Sequence, residues 1–311
     1  MQWPNSRWFA TQSEGSLVSD AADNLPNEQF RCRVMLIAAA VLWSLSGLFV
    51  KSPPLDVIPL EVRGPLLACY RALFAGAMFS LLVKRRSVRW RPGLIPMVGV
   101  FTVMNVLFVS SLTRTTSAAA IFLQYTATAW VALLSFVLLK ERLQRSTLVA
   151  LVGAISGILW IVLNEEHAHH AVGNFLALGS GFSLACTLVM LRVLRDEDST
   201  WLTALNHLSS GLILLPWALT LDVSLSPLQW LLIAGLGIVQ MGTPYVLFAR
   251  AVRSVPVTEA VLLTLLEPIL NPIWVLLFWG EQPAAHVWSG GALILGGLLA
   301  MTVLRRQTSP E

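Results

Sequence analysis

Ten apolar segments follow one another along this chain, and they restrict its fold more than any other feature of the sequence. They cover residues 34–50, 65–83, 93–112, 116–139, 146–163, 172–191, 200–220, 228–249, 255–279 and 286–304. Most are close to the ~20 residues that a helix needs to cross a bilayer. Hydrophobic residues make up 56% of the chain and charged residues only 12%, which excludes an ordinary soluble domain. We therefore predict an all-α integral membrane protein with ten transmembrane helices.

The distribution of positive charge predicts the orientation of these segments. With ten spans and a cytoplasmic N-terminus, 16 of the 21 lysines and arginines fall in segments assigned to the cytoplasm, and three fall in outer loops. This asymmetry follows the positive-inside rule. We therefore predict a multi-pass protein of the plasma (inner) membrane with both termini in the cytoplasm. The arginine-rich segment 84–91 would be a cytoplasmic loop in contact with anionic membrane lipids.

The chain also contains an internal repeat. Residues 112–141 and 252–281 share a short basic turn, a long apolar span and a glutamate at its end, Glu141 or Glu281. Each half of the chain has five spans, an odd number, so the second half must be inverted relative to the first. Inverted halves are typical of proteins that expose one central site to each side of the membrane in turn.

These patterns divide the chain into three regions. Residues 1–30 are rich in polar residues and contain no apolar run, which predicts a flexible cytoplasmic tail. The first repeat of five spans covers residues 31–163, and the second, inverted repeat covers residues 171–306. The connections between the spans are short and leave no room for a sizeable soluble domain.

A glutamate lies in the middle of the ninth apolar segment. Glu267 is about 16 Å from Pro256 along a helix that rises ~1.5 Å per residue, which places it close to the membrane midplane. A carboxylate is costly at this depth. It should therefore face a water-filled cavity, or hold neighbouring helices together through hydrogen bonds. If transport is coupled to protons, we expect Glu267 to carry the proton.

Two prolines interrupt the helix beside this glutamate. Pro268 and Pro272 have no N–H, so the carbonyls of Thr264 and Pro268 lose their helical partners and become available to other donors. One helix face, at a 3-4-3 spacing, carries Thr264, Glu267, Asn271 and Trp274. We predict that this broken, polar stripe, together with Pro268, lines the path of a solute.

Two segments carry the motifs of a known family: Q-Y-T-A-T-A-W-V-A-L-L-S-F-V-L-L-K-E-R-L (124–143) and L-L-E-P-I-L-N-P-I-W-V-L-L-F-W-G-E (265–281). They resemble the fourth and ninth helices of EamA-type transporters of the drug/metabolite transporter superfamily. The resemblance runs from about residue 34 to 304. It implies ten spans, two inverted halves, a central cavity and small-molecule substrates such as amino acids or sugars. The chain differs from the family at Thr128, where proline is usual, so whether the fourth span is broken stays open.

Other polar residues within the predicted spans are candidates for the same cavity. They are Trp43, Arg71, Asn105, Gln124, Tyr125, Gln240, Thr243 and Tyr245. Each alone could hold two helices together. Their spread over several spans is more than packing alone requires, and the resemblance implies that most of these spans line the cavity. Arg71 has two interpretations. It has a structural role, as an interior ion pair or a guanidinium that snorkels to water, or it forms an anion site for a carboxylate or phosphate.

The remaining motifs predict neither a cofactor nor a metal site. No nucleotide-binding pattern is present, so we predict no cofactor and no direct ATP drive. The segment Glu165-Glu166-His167-Ala168-His169-His170 contains metal-ligand types, but a short polar loop fixes no tetrahedral geometry. Small residues repeat at a spacing of four in two spans, at Gly153 and Gly157 and at Ala292 and Gly296. They predict close helix packing, either within one protomer or between the protomers of a homodimer.

Together these features favour a secondary transporter, most readily an exporter of small metabolites such as amino acids that works by alternating access. A facilitating channel or a membrane sensor is the alternative. A membrane-embedded enzyme would need paired catalytic groups at depth. The predicted spans contain no aspartate, and His207 is their only mid-span histidine. The sequence therefore predicts no enzyme, and it predicts a small-molecule solute and membrane lipids as partners, without nucleic acid.

Overall fold

A computed structural model describes residues 13–140, 145–252 and 254–308, and these residues form helices joined by turns and loops, without a β-strand. The helices are α1 (Ser13–Trp43), α2 (Ser46–Val50), α3 (Pro53–Asp56), α4 (Leu60–Ser80), α5 (Leu94–Arg114), α6 (Ser117–Tyr125), α7 (Ala127–Leu139), α8 (Arg145–Leu163), α9 (Ala168–Val193), α10 (Ser199–Ala218), α11 (Pro227–Gly237), α12 (Thr243–Ala251), α13 (Val257–Thr264), α14 (Leu266–Trp279) and α15 (Ala285–Thr308). A 3₁₀ turn covers Arg85–Ser87, and a π-helical segment covers Ile238–Gly242. Glu141, predicted to end the fourth span, lies outside the described residues.

Within the described part of the chain, eight segments are long and apolar enough to cross a membrane. They are Glu28–Val50, Leu94–Arg114, Ser117–Leu138, Ser146–Leu163, His170–Val193, Pro227–Ala251, Glu259–Trp279 and Ala285–Leu304. Each coincides with a predicted span. The chain is therefore an all-helical, multi-pass membrane protein.

The second and seventh predicted spans fall on α4 and α10, which are helices of 21 and 20 residues but are not among these eight segments. Both helices contain polar side chains in their middle, Arg71 in α4 and Asn206 and His207 in α10. The two helices pack directly on each other, so that these polar groups are buried between helices. The buried polar side chains explain why α4 and α10 have a lower hydropathy than the eight segments. The number of ten spans stays a prediction.

Four of the predicted spans consist of more than one helix. The first bends between α1 and α2, and the eighth contains the π-helical segment between α11 and α12. The ninth is interrupted at Leu265, between α13 and α14, where the two prolines of this span predict a break. The fourth is interrupted in the same way at Thr126, between α6 and α7, although it has no proline. The fourth span is therefore broken even though it has Thr128 where proline is usual in the family.

Glycines allow α8 and α15 to pack closely within one protomer. A Cβ atom added to Gly153 would lie 2.7 Å from the Leu293 carbonyl oxygen, and one added to Gly157 would lie 2.5 Å from the Gly290 carbonyl oxygen. This contact settles the first pair of small residues in favour of packing within the protomer. Ala292 and Gly296 are exposed on α15 instead. A homodimer through them stays a prediction.

The N-terminal region differs from a wholly unstructured tail. Helix α1 begins at Ser13, inside the predicted tail 1–30, and continues without interruption into the first span. Composition indicates only that these residues cannot form a buried core. A helix that extends a transmembrane span needs no such core, so composition could not exclude it.

Candidate functional site

A cavity of about 240 Å³ lies where the broken helices of the fourth and ninth spans face each other. Polar residues predicted from the sequence line much of it: Trp43, Arg71, Gln124, Tyr125, Gln240, Tyr245 and Glu267. Thr128 and the apolar residues Phe101, Met104, Phe108, Ala127, Leu184, Leu188 and Met241 complete the lining. The apolar lining residues could not be predicted, because their spacing is that of ordinary packing residues.

Tyr125 connects the two helix breaks. It is the last residue of α6, and its hydroxyl lies 2.9 Å from Glu267 Oε2 and 3.3 Å from the Thr264 carbonyl oxygen. The Thr264 carbonyl is one of the two that the prolines deprive of a helical donor. The Thr264 carbonyl oxygen therefore accepts a hydrogen bond from the Tyr125 hydroxyl, which belongs to the other repeat. Glu267 accepts from the same hydroxyl.

Arg71 is the most buried charged group of this cavity, with 1% of its surface exposed. Its Nε donates to Asn105 Oδ1 at 2.9 Å, and its guanidinium lies over the Phe108 ring at 5.6 Å. Asn105 is oriented in turn, since its Nδ2 donates to the Ala68 carbonyl oxygen at 2.9 Å and to Ser210 Oγ at 3.1 Å. Asn105 thus positions Arg71 instead of lining the cavity.

The guanidinium retains unused hydrogen-bonding capacity. Among the described residues, Arg71 Nη1 is buried and has no hydrogen-bond partner, and no carboxylate forms an ion pair with Arg71. The interior ion pair expected as one interpretation of Arg71 is therefore absent from the described part of the chain. A cation that is buried and unpaired is costly unless an anion from outside the protein completes it.

Gln240 provides a complementary free acceptor. It lies in the π-helical segment, where its Nε2 donates to the Trp43 carbonyl oxygen at 3.1 Å. Its Oε1 is buried and has no partner in the described residues. Thr243, on the same helix face, is not part of the lining, because its hydroxyl donates to the Ile238 carbonyl oxygen at 2.9 Å.

His207 lies behind the cavity wall, packed against the rings of Phe101 and Tyr245. Its Nδ1 lies 2.9 Å from the Thr203 carbonyl oxygen, and its Nε2 is buried without a partner among the described residues. Phe101 and Tyr245 separate this imidazole from the cavity, so we assign His207 to the wall and not to the site.

The predicted stripe of the ninth span divides into two parts. Glu267 faces the cavity, whereas Asn271 is fully buried one turn further along α14. Asn271 Nδ2 donates to Ser46 Oγ at 2.7 Å, and its Oδ1 accepts from Ser117 Oγ. Trp274 Nε1 donates to Ser44 Oγ at 2.9 Å. Asn271 therefore holds α14 against α2 and α6, and Trp274 holds it against the turn between α1 and α2, instead of lining the cavity.

The remaining two residues of the ninth-span prediction also lie outside the lining. The Thr264 hydroxyl donates to the Val261 carbonyl oxygen at 2.8 Å, so only the backbone of Thr264 contacts Tyr125. Pro268 is buried in the first turn of α14. At this place its missing N–H leaves the Thr264 carbonyl available to the tyrosine.

Polar contacts close one end of the bundle, which the sequence predicts to face outside. Gly47 allows the approach, because an added Cβ would lie 2.6 Å from Asn271 Oδ1 and even closer to Ser117 Oγ. Beyond this point Lys51 forms an ion pair with Glu281, whose Oε1 accepts from the backbone N–H of Ser117 at 2.6 Å. A separate cavity of about 380 Å³ lies at this end. The fully buried group of Ser46, Ser117 and Asn271, here called the serine–asparagine cluster, joins the helices between the two cavities.

The opposite end, predicted to be cytoplasmic, is held by a more exposed ion pair. Arg33 Nε and Nη2 lie 2.6 Å and 3.2 Å from the two carboxylate oxygens of Glu259. Both side chains are at least one-third exposed. Exposed pairs contribute little to stability, so the buried apolar cluster around Leu36 does more than this ion pair to hold this end.

A protein-family comparison identifies the type of protein to which this site belongs. The model of the EamA-like transporter family matches residues 31–163 and again residues 171–303. The chain belongs to the EamA-like transporter family. The two matches also establish that this EamA-family protein consists of two repeats.

Named relatives agree with this assignment, and a solved structure agrees with the fold. An uncharacterised transporter of Archaeoglobus fulgidus is 29% identical over 87% of this chain and 97% of its own length. The pseudopaline exporter CntI of Pseudomonas aeruginosa is 23% identical over 86% of this chain and 95% of its own length. A crystal structure with 19% sequence identity covers 90% of the chain with a TM-score of 0.64, which supports the fold alone. The protein is therefore a membrane transporter of small molecules.

Proposed function

We propose that this EamA-family protein exports small metabolites such as amino acids from the cytoplasm by alternating access. In this proposal ten spans form two inverted repeats in the inner membrane, with both termini in the cytoplasm. The observation that carries the substrate class is that two residues of the cavity lining each have a buried polar atom without a partner among the described residues, the donor Arg71 Nη1 and the acceptor Gln240 Oε1.

These two groups complement the two polar ends of an amino acid. A carboxylate would complete the hydrogen bonding of the Arg71 guanidinium, whose orientation Asn105 already fixes. An amino N–H would satisfy Gln240 Oε1. The aromatic and aliphatic lining leaves room for an apolar side chain. Glu267 then serves as the proton-carrying group of a coupled exporter.

The unequal ends of the bundle support alternating access. The serine–asparagine cluster and the Lys51–Glu281 ion pair close the predicted outer end, while the exposed Arg33–Glu259 pair holds the other. Opening toward the outside would separate α2, α6 and α14 at Gly47, where they approach most closely. A carrier must break such contacts in each cycle, whereas a channel would keep a continuous path.

Counterflow in proteoliposomes tests the proposal. Vesicles loaded with one unlabelled amino acid at a time would receive the same amino acid with a radioactive label. We expect trans-stimulated uptake for at least one amino acid. An amine with the same side chain but without the carboxylate would be added as a competitor. It should inhibit uptake of the labelled amino acid at least tenfold more weakly than the unlabelled amino acid does. Equal inhibition by the amino acid and the amine would contradict the assignment of Arg71, and uptake without trans-stimulation would indicate a channel.

An arginine variant locates the effect in the cavity. Arg71→Gln should remove the preference for the carboxylate, so that the amino acid and its amine compete equally. Arg114→Gln makes the same chemical change at the end of α5, outside the cavity lining, and should retain the preference. Thermal unfolding in detergent would be recorded for both variants. If Arg71→Gln does not fold, Arg71→Lys, which keeps the charge, would be tested in its place.

Reporter fusions test the proposed topology at α4 and α10, the two predicted spans that are not among the eight membrane-crossing segments. A reporter that is active only in the cytoplasm should be silent at Pro54 and active after Arg86, on either side of α4. It should be active after Arg195 and silent at Asp222, on either side of α10. A reversal at any of these four sites would exclude the ten-span topology.

A further inference from the structure

Three histidines surround one buried carboxylate in the loop that joins the repeats. Glu165 follows α8, and only 4% of its side chain is exposed. His167 Nδ1 and His170 Nδ1 lie 3.4 Å and 3.3 Å from Glu165 Oε1. His286, in the first turn of α15, places its Nε2 3.9 Å from Glu165 Oε2. The second repeat thus contributes a residue from its far end to a loop at its beginning.

We propose that Glu165, His167, His170 and His286, here called the loop cluster, bind a transition-metal ion of the Zn²⁺ class. Zinc takes four ligands in a tetrahedron with bonds of about 2.0–2.1 Å, which separates neighbouring ligand atoms by roughly 3.3–3.4 Å. The two shorter distances within the cluster have these values. The ligand atoms of Glu165, His167 and His170 all lie within 4.8 Å of one another, so one ion could contact all three.

Neighbouring groups already orient the carboxylate. The His167 backbone N–H donates to Glu165 Oε1 at 3.2 Å, and Asn174 Nδ2 donates to Oε2 at 3.4 Å. Asn174 is itself fixed by Thr115, whose hydroxyl donates to Asn174 Oδ1 at 2.8 Å. Metal-binding carboxylates are commonly held by such an outer layer of hydrogen bonds.

A single ion pair explains the arrangement less well. It would need one histidine beside the carboxylate, whereas three converge on Glu165.

His286 supplies an independent observation. Its Nε2 is buried and has no hydrogen-bond partner among the described residues, although a carboxylate oxygen lies 3.9 Å away. An imidazole nitrogen at this distance is too far for a hydrogen bond but close enough to become a fourth ligand after a small shift. The sequence could not predict this ligand, because His286 is remote along the chain from the Glu165–His170 segment. With it, the loop gains the fixed geometry that a short polar loop alone lacks.

Metal titration of the purified protein tests the proposal without reference to transport, on which it does not depend. After removal of metal with a chelator, the protein would be titrated with Zn²⁺ by calorimetry and with Co²⁺ by visible absorption. We expect one Zn²⁺ per chain and a Co²⁺ spectrum of the tetrahedral type. Mg²⁺, which prefers oxygen ligands, should not compete.

Matched variants assign the ligands. His286→Asn and Glu165→Gln should each weaken Zn²⁺ binding at least tenfold, whereas Glu166→Gln, the neighbouring acid outside the loop cluster, should leave it unchanged. Zn²⁺ should also raise the unfolding temperature of the wild type and not that of His286→Asn. The proposal is overturned if the wild type shows no saturable Zn²⁺ binding. It is equally overturned if His286→Asn and Glu165→Gln both bind Zn²⁺ as the wild type does.

Discussion

The two repeats contain the same backbone break in very different surroundings. At Thr126 and at Leu265 the α-helical hydrogen bond is replaced by a shorter turn, with N–H to carbonyl distances of 3.3 Å to Leu123 and 3.2 Å to Leu262. Proline assists only the second break. The first is held instead by the Thr126 hydroxyl, which donates to the Leu123 carbonyl oxygen at 2.6 Å.

The first break is closed by its neighbour α9. Gln124 Nε2 donates to Ser180 Oγ at 2.9 Å, and Gly181 allows α9 to approach the broken backbone. A Cβ atom on Gly181 would lie 3.0 Å from the Gln124 carbonyl oxygen and 3.1 Å from that of Leu123. The Gln124 amide N–H and the Thr126 hydroxyl are therefore engaged within the protein, although residues of this break still border the cavity.

Both breaks border the cavity, but only the second places a carboxylate there. Glu267 lies two residues after the break at Leu265, whereas Thr128 lies two residues after the break at Thr126. The comparison teaches that a repeated backbone shape need not carry a repeated chemistry. We interpret the first break as a structural support that positions the Tyr125 hydroxyl against Glu267. We interpret the second break as the one that takes part in transport. Substitutions at the second break should therefore change transport, and substitutions at the first should change stability.

The largest effect is expected from Glu267→Gln. The amide has the size of the carboxylate and still accepts a hydrogen bond from Tyr125, but it cannot bind and release a proton. Accumulation driven by a pH gradient should be abolished, while counterflow at equal pH should persist. Proteoliposomes loaded with the amino acid that the counterflow panel identifies would provide both measurements.

Glu259→Gln is the matched control for this change. Glu259 lies in the same span but pairs with Arg33 away from the cavity, so its loss should leave coupling intact. Full accumulation by the Glu267→Gln variant would exclude Glu267 as the proton carrier. Loss of counterflow by a folded variant would show that the carboxylate binds substrate.

The sequence predicts the parts of this comparison that depend on hydropathy and proline. Eight of the ten apolar segments match helices that can cross a membrane, and the break near Pro268 follows from its missing N–H. The break at Thr126 could not be predicted in this way, because its stability depends on a hydroxyl and on packing against Gly181. Those contacts exist only after α9 has docked.

Helix periodicity also predicts which residues share a face but not what the face meets. Glu267 and Asn271 were predicted to line one path, yet Asn271 bonds Ser46 and Ser117 while Glu267 faces the cavity. Asn105 carries no sequence signal that distinguishes a ligand from a residue that orients Arg71. Such roles depend on contacts between distant parts of the chain, which a single sequence does not contain.

Pro268→Ala should give the next largest effect. Alanine restores an N–H that can donate to the Thr264 carbonyl oxygen and displace the Tyr125 hydroxyl from it. The ninth helix would then straighten at Leu265, and we expect counterflow to fall at least tenfold with unchanged abundance in the membrane. Pro272→Ala, one turn further into α14, should cost less. Loss of the folded Pro268→Ala protein would instead assign this proline to architecture.

Tyr125→Phe should have a moderate effect, since it removes only the hydroxyl between the two breaks. Losing one hydrogen bond typically changes an equilibrium by about 2- to 10-fold. We expect a decrease of this size in the counterflow rate and a small loss of thermal stability. Tyr70→Phe, a tyrosine of α4 that packs on Trp230 outside the cavity, is the control. If Tyr125→Phe transports at the rate of the wild type, the hydrogen bond from Tyr125 is not needed for the function of Glu267.

Thr126→Val should have the smallest effect, and it tests the comparison most directly. Valine keeps the shape of threonine but removes the hydroxyl that donates to the Leu123 carbonyl oxygen, at a cost of about 0.5–1.5 kcal/mol in the free energy of unfolding. Transport should stay close to that of the wild type, because the packing of Ser180 and Gly181 still holds the break and Tyr125 keeps its direction. Chemical unfolding in detergent and counterflow would be measured on the same preparation. If Thr126→Val slows counterflow as much as Tyr125→Phe does while its stability is unchanged, the first break takes part in the transport cycle. The distinction between a supporting break and a functional one would then fail.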